Sequence, residues 1–223
     1  MTAFHIKNLE KSFKEGKEKA LIVLATGAGK TFTACTICYR MLSFTKARRI
    51  LFLVDRNNLG TGAKQEFQSF NLTQTGKNFS EIFAVEKLGR QNAEDKAEDA
   101  KSLKSKEKAG KVVISTIQRL YAQLTGQPEE VSEENEDSGM GHKEGEVVEV
   151  PKNAMLPPDY FDLIIIDECH RSIYSDWKKV LDYFSSARKI GMTATPIPET
   201  LAFFDKNQVA NYTLEQSILD GVN

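Results

Sequence analysis

Lys30-Thr31 and Asp167-Glu168 are the residue pairs whose types and settings point most directly to chemistry. The first pair closes Leu21-Ile-Val-Leu-Ala-Thr-Gly-Ala-Gly-Lys-Thr31, an apolar run that stops in a small, glycine-rich turn. Ala20 to Leu24 has the length and composition of a buried parallel strand, and Thr33 to Met41 reads as a helix. Thr26, Gly27, Ala28 and Gly29 between them carry no bulk. Their backbone N–H groups can close around a phosphate while the helix N-terminus faces the same anion. Lys30 would then reach the β- and γ-phosphates of ATP, and the Thr31 hydroxyl would ligate Mg²⁺. This is the pattern of a Walker A loop, with one departure: Leu24 stands where the strict form has glycine.

The second pair ends Phe161-Asp-Leu-Ile-Ile-Ile-Asp-Glu-Cys-His170, which reads as a buried strand running into two carboxylates. Asp167 would hold Mg²⁺ through its water shell, and Glu168 would orient and deprotonate an attacking water. An apolar strand ending in adjacent acids says little alone. Downstream of TGAGKT it completes one Mg·ATP site, which requires the two pairs to meet from neighbouring strand ends. A third stretch, Ile190-Gly-Met-Thr-Ala-Thr-Pro196, supplies Thr193 and Thr195 as partners for His170 and the acids. They could couple nucleotide state to strand position; the alternative is a purely structural histidine.

These groups need a scaffold, and the chain spells an α/β rhythm around them. His5 to Glu15 reads as a helix with Ile6, Leu9 and Phe13 on one face. Ile50 to Asp55 is a second buried strand, Leu59 to Phe70 a helix, and Ile82 to Val85 a short strand. Lys111 to Thr116 is a strand, followed by a helix from Ile117 to Leu124. Strand, helix, strand is the pattern of a parallel sheet. Arg56, Ser115, Thr116 and Gln118 then fall at the sheet edge where such folds place ligands. Arg56 could bind a nucleic-acid phosphate or pair with a neighbouring acid.

Two polar stretches interrupt the pattern. Residues 91–109 are charged and small with only Leu103 to bury, which reads as a solvated helix or a mobile excursion; a nucleic-acid contact through its lysines is the alternative. Residues 127–150 are acid-rich and too poor in apolar groups to order themselves. The chain has 223 residues, 40% hydrophobic and 27% charged, with a formal net charge of −1. That suits a water-soluble α/β protein, and the near-neutral total leaves a local basic groove possible. No run approaches the ~18 apolar residues of a membrane span, which points to the cytoplasm and to no membrane partner. Cys35 and Cys38 form a single CxxC on the helix behind the phosphate loop, better read as buried core than as a metal site.

Taken in order, TGAGKT, FLVDR, STIQ, DECH and TATP resemble motifs I, Ia, Ib, II and III of superfamily 2 helicases and translocases. A closer resemblance is to the restriction (motor) subunit of type I restriction–modification enzymes. It is carried by Phe52-Leu-Val-Asp-Arg-Asn-Asn-Leu59, Val113-Ile-Ser-Thr-Ile-Gln-Arg-Leu-Tyr121, Asp167-Glu-Cys-His-Arg-Ser-Ile-Tyr174 and Tyr212-Thr-Leu-Glu-Gln-Ser-Ile-Leu-Asp-Gly-Val222. The resemblance implies a RecA-like domain, a mostly parallel sheet between helices, over residues 1–213, with 214–223 opening a linker to a second lobe. It also implies ATP hydrolysis coupled to pumping of double-stranded DNA, with Arg56, Ser115, Thr116 and Gln118 on the DNA backbone. Expected partners are a nuclease domain, a second RecA-like lobe and the methyltransferase and specificity subunits of a restriction complex. A strand-separating superfamily 2 helicase is the alternative. The family's nuclease domain would precede Met1, its adenine-reading glutamine would fall near Thr2, and no glycine-arginine motif of a second lobe occurs. One motor lobe of a longer polypeptide, with little turnover alone, is therefore expected.

Overall fold

The computed structural model describes residues 2–55, 57–72, 76–88, 110–126, 155–172 and 175–219. Arg56 and the two polar stretches, 91–109 and 127–150, lie outside the described residues.

Apolar runs dominate the strands. β1 (Lys19–Leu24), β2 (Arg49–Val54), β6 (Lys111–Thr116), β7 (Leu163–Asp167) and β8 (Arg188–Thr193) are buried along nearly their whole lengths. Strands covered on both faces need no polar alternation, which is why they read as continuous hydrophobic blocks. With β5 (Ala84–Lys87) and β9 (Gln208–Tyr212) they form one seven-stranded sheet, in the order β5-β6-β2-β7-β8-β1-β9. Every pairing in it is parallel. The mostly parallel α/β architecture expected from the sequence is the one observed.

Successive residues of each strand feed opposite layers. Ile22, Phe52, Ile114, Ile165 and Ile190 join one apolar layer with α1 (Thr2–Lys14), α2 (Lys30–Phe44) and α3 (Asn57–Ser69). Leu21, Leu53, Val113, Ile164 and Ile166 join the other. That second layer packs against α5 (Ile117–Thr125) and α7 (Ser175–Tyr183), the latter a helix with no counterpart among the expected elements. The short hairpin β3 (Asn71–Leu72) and β4 (Lys77–Asn78) and the helix α4 (Phe79–Ile82) connect α3 to β5.

The expected strand over Ile82 to Val85 begins two residues later. Glu81 Oε1 accepts the Asn78 backbone N–H at 2.7 Å, a helix-start contact that captures Phe79–Ile82 before the strand can begin. α2 starts at Lys30, three residues earlier than expected, directly on the glycine turn. β9 was also unforeseen; it adds to β1, and its Tyr212 carbonyl accepts the Ala25 N–H at 2.9 Å, immediately before the glycine-rich turn.

Phe67 is fully buried and lies edge-on to Phe52 and Phe79, with ring centroids 5.6 and 5.4 Å away. Phe67→Ala removes this wedge between α3 and the sheet, and is expected to cost about 3–5 kcal/mol by urea unfolding.

Candidate functional site

The loop between β1 and α2 is built from residues that can take left-handed backbone. Gly27 and Gly29 have φ of 80° and 79°. Glycine pays no Cβ penalty there. The Ala28 N–H turns back to the Ala25 carbonyl at 3.1 Å, and the first intrahelical bond of α2 runs from Thr33 N–H to Gly29 O at 2.9 Å. Gly29 has no side chain to cap the helix, and no acid sits in its first turn. The opening N–H groups and the positive end of the helix dipole therefore face outward. Thr26, Gly27 and Gly29 are exposed; Ala28, Lys30 and Thr31 are half-buried.

The expectation that β1 and β7 are neighbours is incorrect: β8 lies between them. A gap of one strand is no obstacle to a side chain of lysine's length, and the Lys30 ammonium forms a salt bridge with the Glu168 carboxylate across the end of β8. One residue of each candidate pair thus meets the other, although 138 positions separate Lys30 from Glu168 in sequence. The other Glu168 oxygen lies 3.5 Å from His170 Nδ1, which is 2.9 Å from Thr193 Oγ1. Thr193 Oγ1 also accepts the Thr195 backbone N–H at 3.1 Å. Thr195 thus joins through its main chain. Lys30, Glu168, His170, Thr193 and Thr195 form one polar chain over the end of β8.

Asp167 closes β7 beside this chain. Burial, reinforced by the Glu168 and Asp55 charges and opposed by Lys30, raises its carboxyl from 3.8 to about 6. A carboxylate held this way favours a cation. Its Oδ1 accepts the Glu168 N–H at 3.1 Å, and Glu168 itself sits at φ 45°, a region costly for a residue with a Cβ. The sequence held no signal for that strained turn.

The other edge residues behave differently. Ser115 and Thr116 are buried: Ser115 Oγ donates to the Thr116 carbonyl at 2.9 Å, and Thr116 Oγ1 caps α5 by accepting the Arg119 N–H at 3.3 Å. Gln118 is half-exposed on the first turn of α5. Of the three, Gln118 is the side chain with surface to offer. Cys35, Cys38 and Cys169 are buried free thiols whose ionisation is suppressed by burial, and no metal-binding cluster of His, Cys, Asp and Glu occurs among the described residues.

A P-loop-like turn, two strand-end acids and a threonine-rich strand end between them can be set against known proteins. The family described as type III restriction enzyme, res subunit, matches residues 2–198. The chain belongs to that family. Its curated relatives are endonuclease subunits of type I restriction enzymes. The EcoAI subunit of Escherichia coli is 33% identical over 218 residues, which cover 92% of this chain and 20% of that protein. The EcoKI subunit of Escherichia coli K12 is 27% identical, covering 97% and 16%. This res-family chain therefore spans about a fifth of the length of the curated relatives it matches. Among solved structures, a fragment described as an HsdR subunit of a type I restriction enzyme from Vibrio vulnificus YJ016 is 26% identical. It has a TM-score of 0.56, with 99% of this chain and 31% of that one covered. A DEAD box protein of Methanococcus jannaschii, 14% identical at TM-score 0.56 over 90% of this chain and 46% of that one, shares the RecA-like fold. Among the described residues, no helix is long and apolar enough to cross a membrane.

Because the Asp167 carboxyl titrates higher folded than unfolded, it favours the folded state most at low pH, and that contribution is lost as pH rises from about 4 to about 6. Asp167→Asn keeps the acceptor for Glu168 N–H and removes the buried charge. The variant is expected to be more stable than the parent by roughly 1–3 kcal/mol at pH 8 and nearly equal to it at pH 4, read from urea unfolding at both.

Proposed function

We propose that this chain is the first motor lobe of an ATP-driven double-stranded DNA translocase, within the endonuclease subunit of a type I restriction enzyme. The carrying observation is the meeting of Lys30 and Glu168 over β8. It brings a cation at a helix N-terminus and a strand-end acid to one point, beside a buried carboxylate, Asp167, that favours a cation.

Residues 26–29 suit a polyphosphate: two left-handed glycines leave the loop backbone uncovered, and the uncapped turn of α2 faces the same side. Thr26, Gly27, Ala28 and Gly29 wrap the phosphates and Lys30 neutralises the terminal ones. Thr31 and Asp167 hold Mg²⁺. Magnesium bound there would offset charge on the phosphates as the terminal bond breaks. When Lys30 turns from Glu168 to phosphate, the Glu168 carboxylate is released to hold and deprotonate water. His170 touches both Glu168 and Thr193, so the change at Glu168 passes to Thr193 and Thr195 at the end of β8.

On this reading Arg56 and Gln118 meet the DNA backbone, while buried Ser115 and Thr116 set the turn that presents Gln118. The motor lobe is residues 1–213, and 214–223 begin the passage to a second lobe. Leu214, Ile218 and Leu219 of α9 (Leu214–Leu219) are exposed apolar side chains suited to a following domain. Nuclease domain, second lobe, and methyltransferase and specificity subunits complete the assembly, which works in the cytoplasm. The isolated lobe turns over slowly, because an arginine finger from a second lobe is worth ~10³–10⁵ in rate where GTPases have been measured.

The test uses the full-length subunit in its complex. Glu168→Gln is expected to retain nucleotide binding and lose on the order of 10²–10⁴ in DNA-stimulated ATP hydrolysis. Lys30→Ala is expected to weaken MgATP binding itself. Displacement of a triplex strand without unwinding of the duplex marks translocation. Wild-type hydrolysis by both variants would refute the assignment.

A further inference from the structure

The first two residues of α6 (Cys169–Ser172) land on two residues of β8 that lie on one face of the strand. His170 meets Thr193 through a hydrogen bond. Cys169 meets Gly191 sterically. A Cβ on Gly191 would lie 2.8 Å from Cys169 Sγ and 2.4 Å from both Cε2 and Cζ of Phe204. Those separations are closer than side-chain carbons approach, so the thiol and the ring occupy the space a side chain at 191 would need. Cys169 and Phe204 are both fully buried. Gly191 is not among the glycines with positive φ, so space and not backbone shape demands glycine there.

Immediately before Cys169, Glu168 holds φ 45°. Such a conformation survives in a non-glycine residue only when its surroundings impose it. The Asp167 Oδ1 contact restrains one side of the turn. On the other side Cys169 is buried.

We propose that Gly191 forms a socket for the Cys169 thiol, closed by the Phe204 ring, and that this contact holds Glu168 in the left-handed turn that aims its carboxylate at Lys30. Cys169, Gly191 and Phe204 are positioning residues. Phe204 directly follows α8 (Pro198–Phe203), the helix after Thr195-Pro196, so the socket ties that segment to Glu168 by packing, in parallel with the polar link through His170. The structural part stands on geometry alone; its consequence for turnover rests on the role proposed for Glu168.

Gly191→Ala tests both parts. A crystal structure of the variant chain is expected to show α6 displaced from β8, Glu168 out of the left-handed region and the Lys30 salt bridge broken. In the full-length subunit, kcat is expected to fall on the order of 10²-fold, with MgATP binding unchanged. A folded Gly191→Ala chain that keeps the Glu168 turn and the salt bridge overturns the socket. A lost turn with unchanged kcat leaves the socket standing and instead contradicts the role given to Glu168. Should Gly191→Ala not fold, Cys169→Ala, which only removes the thiol, decides: relaxation of the Glu168 turn supports the proposal, and an unaltered turn overturns it.

Discussion

The salt bridge between Lys30 and Glu168 is the interaction on which the account turns. It joins the loop after β1 to the end of β7 across an intervening strand, a gap that a lysine side chain spans. A partly buried pair of this kind returns little net stability, because desolvation offsets much of the Coulomb attraction. It favours exchange instead. A polyphosphate bound at residues 26–29, carrying more negative charge than one carboxylate, would compete for Lys30 and leave Glu168 to find another donor. On the proposed reading that donor is water, and the other Glu168 contact, His170, carries the change to β8.

The sheet makes this possible because its strands all run the same way. Parallel strands bring their carboxyl ends to one edge, where loops can differ without disturbing the buried layers beneath. Ala25, Asp167 and Thr193 stand at or just beyond the ends of β1, β7 and β8, three adjacent positions on that edge. The opposite edge is fixed by simpler means: Asp162 accepts the Arg48 and Arg49 backbone N–H groups at 2.8 and 2.9 Å, tying the starts of β7 and β2 together.

Much of this was legible in the order of residues, and for identifiable reasons. The strands β1, β2, β6 and β7 each contain an uninterrupted apolar run, so their existence follows from composition, and the expected bounds Lys111–Thr116 are the observed ones. The glycine turn and the paired acids announce themselves by residue type. Other features depend on tertiary neighbours. The place of β8 between β1 and β7 is a matter of strand order, on which local pattern is silent. β9 has only Val209, Ala210 and Tyr212 to mark it, too little for a periodic signal. Ser115 and Thr116 have the chemistry of surface contacts, yet the helix start at Ile117 recruits one as a cap and packing covers the other. The left-handed Glu168 and the glycine required at 191 arise from how α6 meets β8, and nothing in the neighbouring sequence encodes either.

The most direct measurement is the crystal structure of this chain bound to magnesium and a non-hydrolysable ATP analogue. The account predicts Lys30 Nζ on the terminal phosphates and no longer on Glu168, Asp167 facing the metal, and the Glu168 carboxylate turned toward the side of the terminal phosphate where water would attack. An analogue bound away from residues 26–31, with the Lys30–Glu168 salt bridge intact, would contradict it.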